Sequence, residues 1–173
     1  ISAHIDANID DVVYEGVELA EGFSKSLDNR EKELNKMFPN TKVNFIKDDV
    51  KYYDFKNCSL VTSIFTLQFM SMKDRENIIK KIYNGLNVGG GFLFAEKLIC
   101  TNAKLQEMMT FNYYDYKRKH FEAKDIMDKE RTLRHMLKPN TWKEIKTMIL
   151  NAGFQDVQCF WSNHLFVGAL AIK

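Results

Sequence analysis

The stretch KIYNGLNVGGGFLFAEKL, residues 81–98, changes period midway, and that change decides the fold. Upstream of it and into its first residues, Ile78, Ile79, Ile82 and Leu86 recur on one face, which predicts an amphipathic helix over 74–86. Asn87 to Gly91 predict a tight connection, and FLFAEKL at 92–98 is a short apolar run that predicts a strand. Gly89-Gly90-Gly91 looks like a phosphate-cradling loop. A strand follows it, however, so no helix amino terminus would face a ligand, and a turn is the expectation.

Working outward toward the start, CSLVTSIF at 58–65 predicts a buried strand and KVNFIK at 42–47 another, followed by Asp48 and Asp49. Residues 21–37 place Phe23, Leu27, Leu34 and Met37 at helical spacing, with Pro39-Asn40 ending the helix. VVYEGVE at 12–18 predicts a strand that ends on Glu18. Toward the other end, 102–136 predicts a long helical region. Asn140-Thr141 caps a helix through Asn151, closed by Gly153. VQCFW and LFVGALAIK predict two strands joined by a hairpin turn at Ser162-Asn163-His164.

Alternating units followed by a hairpin predict an α/β chain with a mostly parallel sheet and an antiparallel edge. The terminal hairpin narrows the doubly wound class to the Rossmann-like methyltransferase arrangement. One domain over 1–173 is expected, with a helical insertion at about 102–136. A Rossmann sheet begins with a strand and a glycine-rich cofactor loop, and an acid follows about 20 positions later at the end of the second strand. Glu18 suits that acid, so the first strand and loop are expected upstream of Ile1, with residues 1–9 finishing the first helix.

At 45% hydrophobic and 28% charged, the chain can bury a core and stay soluble. Its net charge of +2 neither requires nor excludes a nucleic-acid partner. Cys58, Cys100 and Cys159 lie far apart with no metal-ligand spacing, so free thiols and no metal are expected. No apolar stretch approaches the roughly 18 residues a membrane span needs, and a cytoplasmic protein is expected.

Several residues stand where chemistry would need them, each with a plainer role beside it. Glu18 can accept two hydrogen bonds from a ribose diol or simply precede a helix start. Asp49 can hold an adenine amino group or close a turn, with Val50 against the adenine face. Leu19 neighbours the ribose position, and Ser63 and Ile64 floor the pocket or pack in the core. FNYYDYKRKH at 111–120 reads as a helix with a buried aromatic face and a solvated basic face rather than a single-strand nucleic-acid platform. Arg131 reads as a surface salt-bridge residue. The histidines show no triad or metal spacing.

SIFTLQFM at 63–70 and KIYNGLNVGGGFLFAEKL at 81–98 resemble the carboxy-S-adenosyl-L-methionine synthases that serve tRNA wobble-uridine modification. The likeness continues through FNYYDYKRKH, DKERTLRHML, LNAGF at 150–154 and GALAIK, with Val88 where the family usually has proline. It implies S-adenosylmethionine as cofactor, prephenate as co-substrate, a homodimer, and no direct nucleic-acid or membrane contact. By position it implies Glu18 as the ribose acid, Asp49 and Val50 beside the adenine, and Arg131 binding the new carboxylate from the dimer partner. Here Glu130 replaces the lysine of the family's KR pair, Thr132 follows Arg131, Asp48 replaces a glycine, and Ile64 replaces a polar pocket residue. Two other functions stay open: ordinary methyl transfer to a small molecule or RNA, and a non-catalytic module that no longer binds the cofactor.

Overall fold

The structure is a computed structural model that describes residues 12–173; the helix expected over 1–9 lies outside the described residues. The chain divides into two compact units, Ile1–Tyr53 and Asp54–Lys173.

The first unit is a β-α-β arrangement: β1 (Val13–Glu18), α1 (Ser24–Met37) and β2 (Lys42–Lys47). The two strands are parallel, in register from Val13 opposite Lys42 to Glu18 opposite Lys47. Gly16 is required by close approach, because a Cβ there would stand 2.8 Å from the Phe45 ring across the ladder. β2 has polar groups pointing away from β1, and α1 satisfies them. The Asn35 amide bonds both the Val43 amide and carbonyl, at 2.9 and 2.8 Å, and Glu31 accepts the Phe45 amide at 2.6 Å. A strand edge is thereby occupied by side chains of its own unit. Leu34 of α1 and Val43 of β2 are buried.

The second unit holds β3 (Cys58–Ile64), α2 (Met72–Gly85), β4 (Leu86–Lys97), α3 (Ala103–Lys117), α4 (Ala123–Arg134), α5 (Trp142–Ala152), β5 (Val157–Asn163) and β6 (Phe166–Ile172). The strand order is β3-β4-β6-β5. β3 and β4 are parallel, β6 is antiparallel to both its neighbours, and so β6 alone runs against the rest. The C-terminal hairpin forms one edge of the sheet, as the sequence predicts, and within it the antiparallel strand β6 is the inner one. Its composition explains this: Val167, Ala169 and Ala171 are buried at 2% or less, whereas Phe160 and Trp161 of β5 stay exposed.

Ile78, Ile79 and Ile82 of α2 and Ile145, Met148 and Ile149 of α5 are buried, and Ile79 and the three α5 residues line one small cavity with the sheet residues Phe92 and Phe94. Each such side chain contributes about 2 kcal/mol of hydrophobic stabilisation. α5 is capped by Thr141 and ends on Gly153 at φ +116°, as the sequence predicts, and Glu144 completes a reciprocal capping box with Thr141.

Three expectations are corrected. Residues 87–91 are not a separate turn: β4 starts at Leu86, directly after α2, and bulges between the Cys58–Leu86 and Leu60–Gly91 pairs. Gly89 at φ +78° donates to the Lys173 carbonyl, and the Lys173 amide donates to Gly90, so the chain end holds this stretch on the sheet. The long helical region breaks after Lys117, where the His120 and Phe121 amides both close back on the Lys117 carbonyl and Glu122 is extended. The hairpin turn is His164-Leu165, with His164 at φ 51°, one step later than expected. Among the described residues no helix is long and apolar enough to cross a membrane.

Candidate functional site

In the first unit, Glu18 and Asp49 both stand at the carboxyl ends of neighbouring parallel strands, where open α/β sheets bind ligands. Glu18 ends β1 and accepts the Ala20 amide at 2.8 Å, a local bond that fixes one carboxylate oxygen. Leu19 beside it is 65% exposed. Asp49 accepts the Lys51 amide at 2.9 Å and pairs with the Lys51 ammonium at 3.1 Å. The backbone bond to Lys51 holds its carboxyl below the usual range. The turn role of Asp49 is therefore present, and it leaves a charged acid at the strand end beside half-buried Val50.

In the second unit, Ser63 and Ile64 end β3. The Ser63 hydroxyl is buried without a hydrogen-bond partner, and Ile64 is half exposed. Phe65 follows at φ 55°, a left-handed conformation that a bulky side chain rarely adopts, while its amide still donates to the Ala95 carbonyl at 2.8 Å. Backbone strain of this kind concentrates at ligand sites. Arg131 lies in the last turn of α4 with its side chain 81% exposed, 3.8 Å from Asp128. Within one chain it is the surface residue its spacing suggests.

Two clusters in this unit escaped sequence reasoning. The first surrounds Lys97, the last residue of β4. Its ammonium lies 4.0 Å from Glu130 of α4, and the Lys117 ammonium of α3 lies 2.9 Å from the same carboxylate. The Lys117 ammonium also sits 4.2 Å from the centroid of the Tyr113 ring. Tyr113 packs on Phe166 at 5.4 Å, and Phe166 packs on Phe65 at 5.6 Å. Burial first, then the Glu130 charge, raises the Tyr114 phenol above its ordinary value. The expected solvated basic face of 111–120 thus turns one of its lysines inward.

The second cluster lies behind the first. Gln68 accepts the Lys97 amide at 2.8 Å, and its own carbonyl accepts the Lys138 amide at 2.8 Å. Arg75 donates to the carbonyls of Met70 and Lys138 at 3.2 and 2.8 Å and to the Asn140 side chain. Glu96 sits beside Arg75 on a cavity of about 10 Å³, with neither carboxylate oxygen closing a hydrogen bond. Burial raises its carboxyl to about 7; the Arg75 charge and the Leu67 and Gln68 amides pull the other way and lose. The signal was in the sequence: Phe92, Phe94 and Glu96 alternate, so the acid shares the core face of β4.

No protein-family profile matches the chain. Relatives named carboxy-S-adenosyl-L-methionine synthase do match it. The protein of Staphylococcus epidermidis is 38% identical over 132 residues, covering 76% of this chain and 58% of that protein. Those of Nautilia profundicola and Campylobacter concisus are both 33% identical, covering 91% and 94% of this chain and 66% and 68% of theirs. The chain belongs to the carboxy-S-adenosyl-L-methionine synthase family. It spans 58% and 66% of the first two family members' length. Among solved structures, a SAM-dependent methyltransferase of Methanosarcina mazei matches with a TM-score of 0.62 at 13% identity, over 100% of this chain and 86% of that one. Human N-acetylserotonin methyltransferase, in complex with SAM, matches with a TM-score of 0.55 at 14% identity, over 97% of this chain and 49% of that one. These likenesses establish the Rossmann-like methyltransferase fold of this family member.

Proposed function

We propose that this protein binds S-adenosylmethionine and carboxylates its methyl carbon with a carboxyl group taken from prephenate. The observation that carries this is the pair of acids, Glu18 and Asp49, at the carboxyl ends of adjacent parallel strands in a chain of this family. Glu18 accepts the ribose hydroxyls, with Leu19 beside them. Asp49 takes the adenine amino group, and Val50 covers the ring face. In the second unit Ser63 and Ile64, at the end of β3, are further proposed cofactor-binding residues, and the buried, unpartnered Ser63 hydroxyl is a polar group suited to a ligand. In the proposed exchange prephenate loses its ring carboxyl as carbon dioxide and its ring hydroxide to become phenylpyruvate. The hydroxide takes one proton from the activated methyl group as water, and the carbon dioxide carbon bonds the methyl carbon. The chain binds and orients rather than donating acid or base. Arg131, exposed and weakly paired, pairs bidentately with the new carboxylate from the second copy of a homodimer. We further propose that the product is made in the cytoplasm and consumed in tRNA wobble-uridine modification, without this protein itself contacting nucleic acid.

Incubation with S-adenosylmethionine and prephenate, read by mass spectrometry, should yield a species heavier than S-adenosylmethionine by one carbon dioxide. Accumulation of S-adenosylhomocysteine with a methylated acceptor would instead establish ordinary methyl transfer, a reading kept because Ile64 at the end of β3 replaces the family's polar pocket residue. A chain that binds neither S-adenosylmethionine nor its product would be a non-catalytic module.

A further inference from the structure

From the Lys97–Glu130–Lys117 cluster we infer an anion subsite in which Glu130 is a resident competitor, displaced by the carboxylate of a ring-bearing substrate. Two ammonium groups share one carboxylate, at 4.0 and 2.9 Å, and all three side chains are only 13–17% exposed. Arg134 adds a further positive charge to the surroundings of Tyr114. A purely structural ion pair balances its charges, because each unpaired buried charge costs several kcal/mol of desolvation. Here one positive charge is left over in a partly dry site, and an incoming anion would neutralise it.

The location fits a substrate. Lys97 ends β4 at the same end of the parallel pair as Ile64 and strained Phe65, which is where such sheets take ligands. Its backbone is fixed by the Gln68 side chain, so the ammonium springs from a rigid point. The neighbouring walls are aromatic. Phe166 lies opposite Lys97 in the ladder and Tyr113 packs on it, offering flat apolar surface to a ring beside the charge. Glu130 comes from a different element, α4, and so can withdraw without disturbing the sheet. Because this subsite names a substrate class for the proposed reaction, its catalytic meaning rests on that proposal. Its binding does not.

The test is a ligand-observed NMR titration of the full chain with phenylacetate, and with neutral phenylacetamide as control. Phenylacetate should bind and the amide should not. Lys117→Met and Lys97→Met should each weaken phenylacetate about tenfold, the value of one charge-assisted hydrogen bond. Glu130→Gln should tighten it, because both ammonium groups are then released to the ligand. That opposite sign is what a structural ion pair cannot give. If Glu130→Gln weakens binding as the lysine variants do, if the amide binds as well as the acid, or if the wild-type chain binds neither, the subsite is refuted. Should Glu130→Gln fail to fold, Glu130→Asp, which draws the carboxylate back from both lysines, gives the same sign. Phenylacetate binding with these signs in a chain that forms no carboxylated S-adenosylmethionine would keep the subsite and discard the reaction. The converse would discard the subsite alone.

Discussion

Arg75 and Glu96 meet inside the second unit, each 2% exposed, and each keeps polar atoms without a hydrogen-bond partner: Nε of the arginine and both oxygens of the glutamate. A cavity of about 10 Å³ lies between their elements, at the lower limit for one water. The consequence is a carboxyl that stays protonated well above its ordinary range.

Stability should therefore fall as pH rises from about 4.5 to about 7, the interval between the ordinary value of Glu96 and its buried one. Below that interval both folded and unfolded states hold the proton, and nothing is lost. Within it the unfolded state releases the proton first, so unfolding gains; above it the loss is complete at about 3 kcal/mol. Arg75 faces Glu96 from α2, and Glu144 of α5 acts on Arg75; neither overturns the burial effect. Urea melts at pH 5 and pH 8 should show this slope in the wild type. Glu96→Gln should flatten it and be the more stable protein at pH 8. A wild type equally stable at both pH values would refute the assignment.

Arg75→Met should destabilise by about 3–5 kcal/mol, since it strips bonds from Met70, Lys138 and Asn140 at once. Arg75→Lys should recover little, because one ammonium cannot span three acceptors set by a planar fork. Adding Glu96→Gln to Arg75→Met should restore part of the loss, by removing the acid that the arginine faced. Denaturant midpoints of the four proteins form the cycle that checks this.

Gly153→Ala should cost about 2 kcal/mol. Its φ of +116° is unfavourable for any side chain, and a Cβ would stand 2.7 Å from the Tyr83 ring. A thermal melt suffices. An unchanged midpoint would mean that α5 ends differently.

Arg131→Ala should leave the melting temperature unchanged, because its 3.8 Å pair with Asp128 is solvent-exposed. It should nevertheless abolish formation of the carboxylated product. Arg131→Lys should not restore it, lacking the bidentate fork. Light scattering on the same samples should show a dimer in both; a monomeric wild type with full activity would remove the proposed role.

The amphipathic spacing of Ile78, Ile79 and Ile82, the apolar strand runs, and the Asn140-Thr141 and Gly153 caps are local signals, and each produced the element expected of it, except that β3 is not the buried strand its apolar run suggests: Leu60 and Ile64 are 45% and 51% exposed. Glu18 and Asp49 were legible for the same reason, since a residue's place at a strand end follows from where its own strand stops. The FTLQF and GLNxGG motifs carried the family, and the relatives agree. Non-local pairing was not legible. β6 enters between β4 and β5, burying Val167, Ala169 and Ala171 on one face, and which strand takes that place is a competition between strands that no single segment encodes. The bulge at 87–91 depends on Lys173, more than eighty positions away.

By itself the sequence determined the fold class, the family and the two acids at the strand ends, because periodicity, caps and contiguous motifs act over a few residues. Only the tertiary structure turned Lys117 inward onto Glu130 and Tyr113, joined both to Lys97, and buried Glu96 beside Arg75. Those charges lie on different elements. Their meaning comes from shared burial, where losing water makes a charge's neighbours, and not its position in the chain, decide its chemistry.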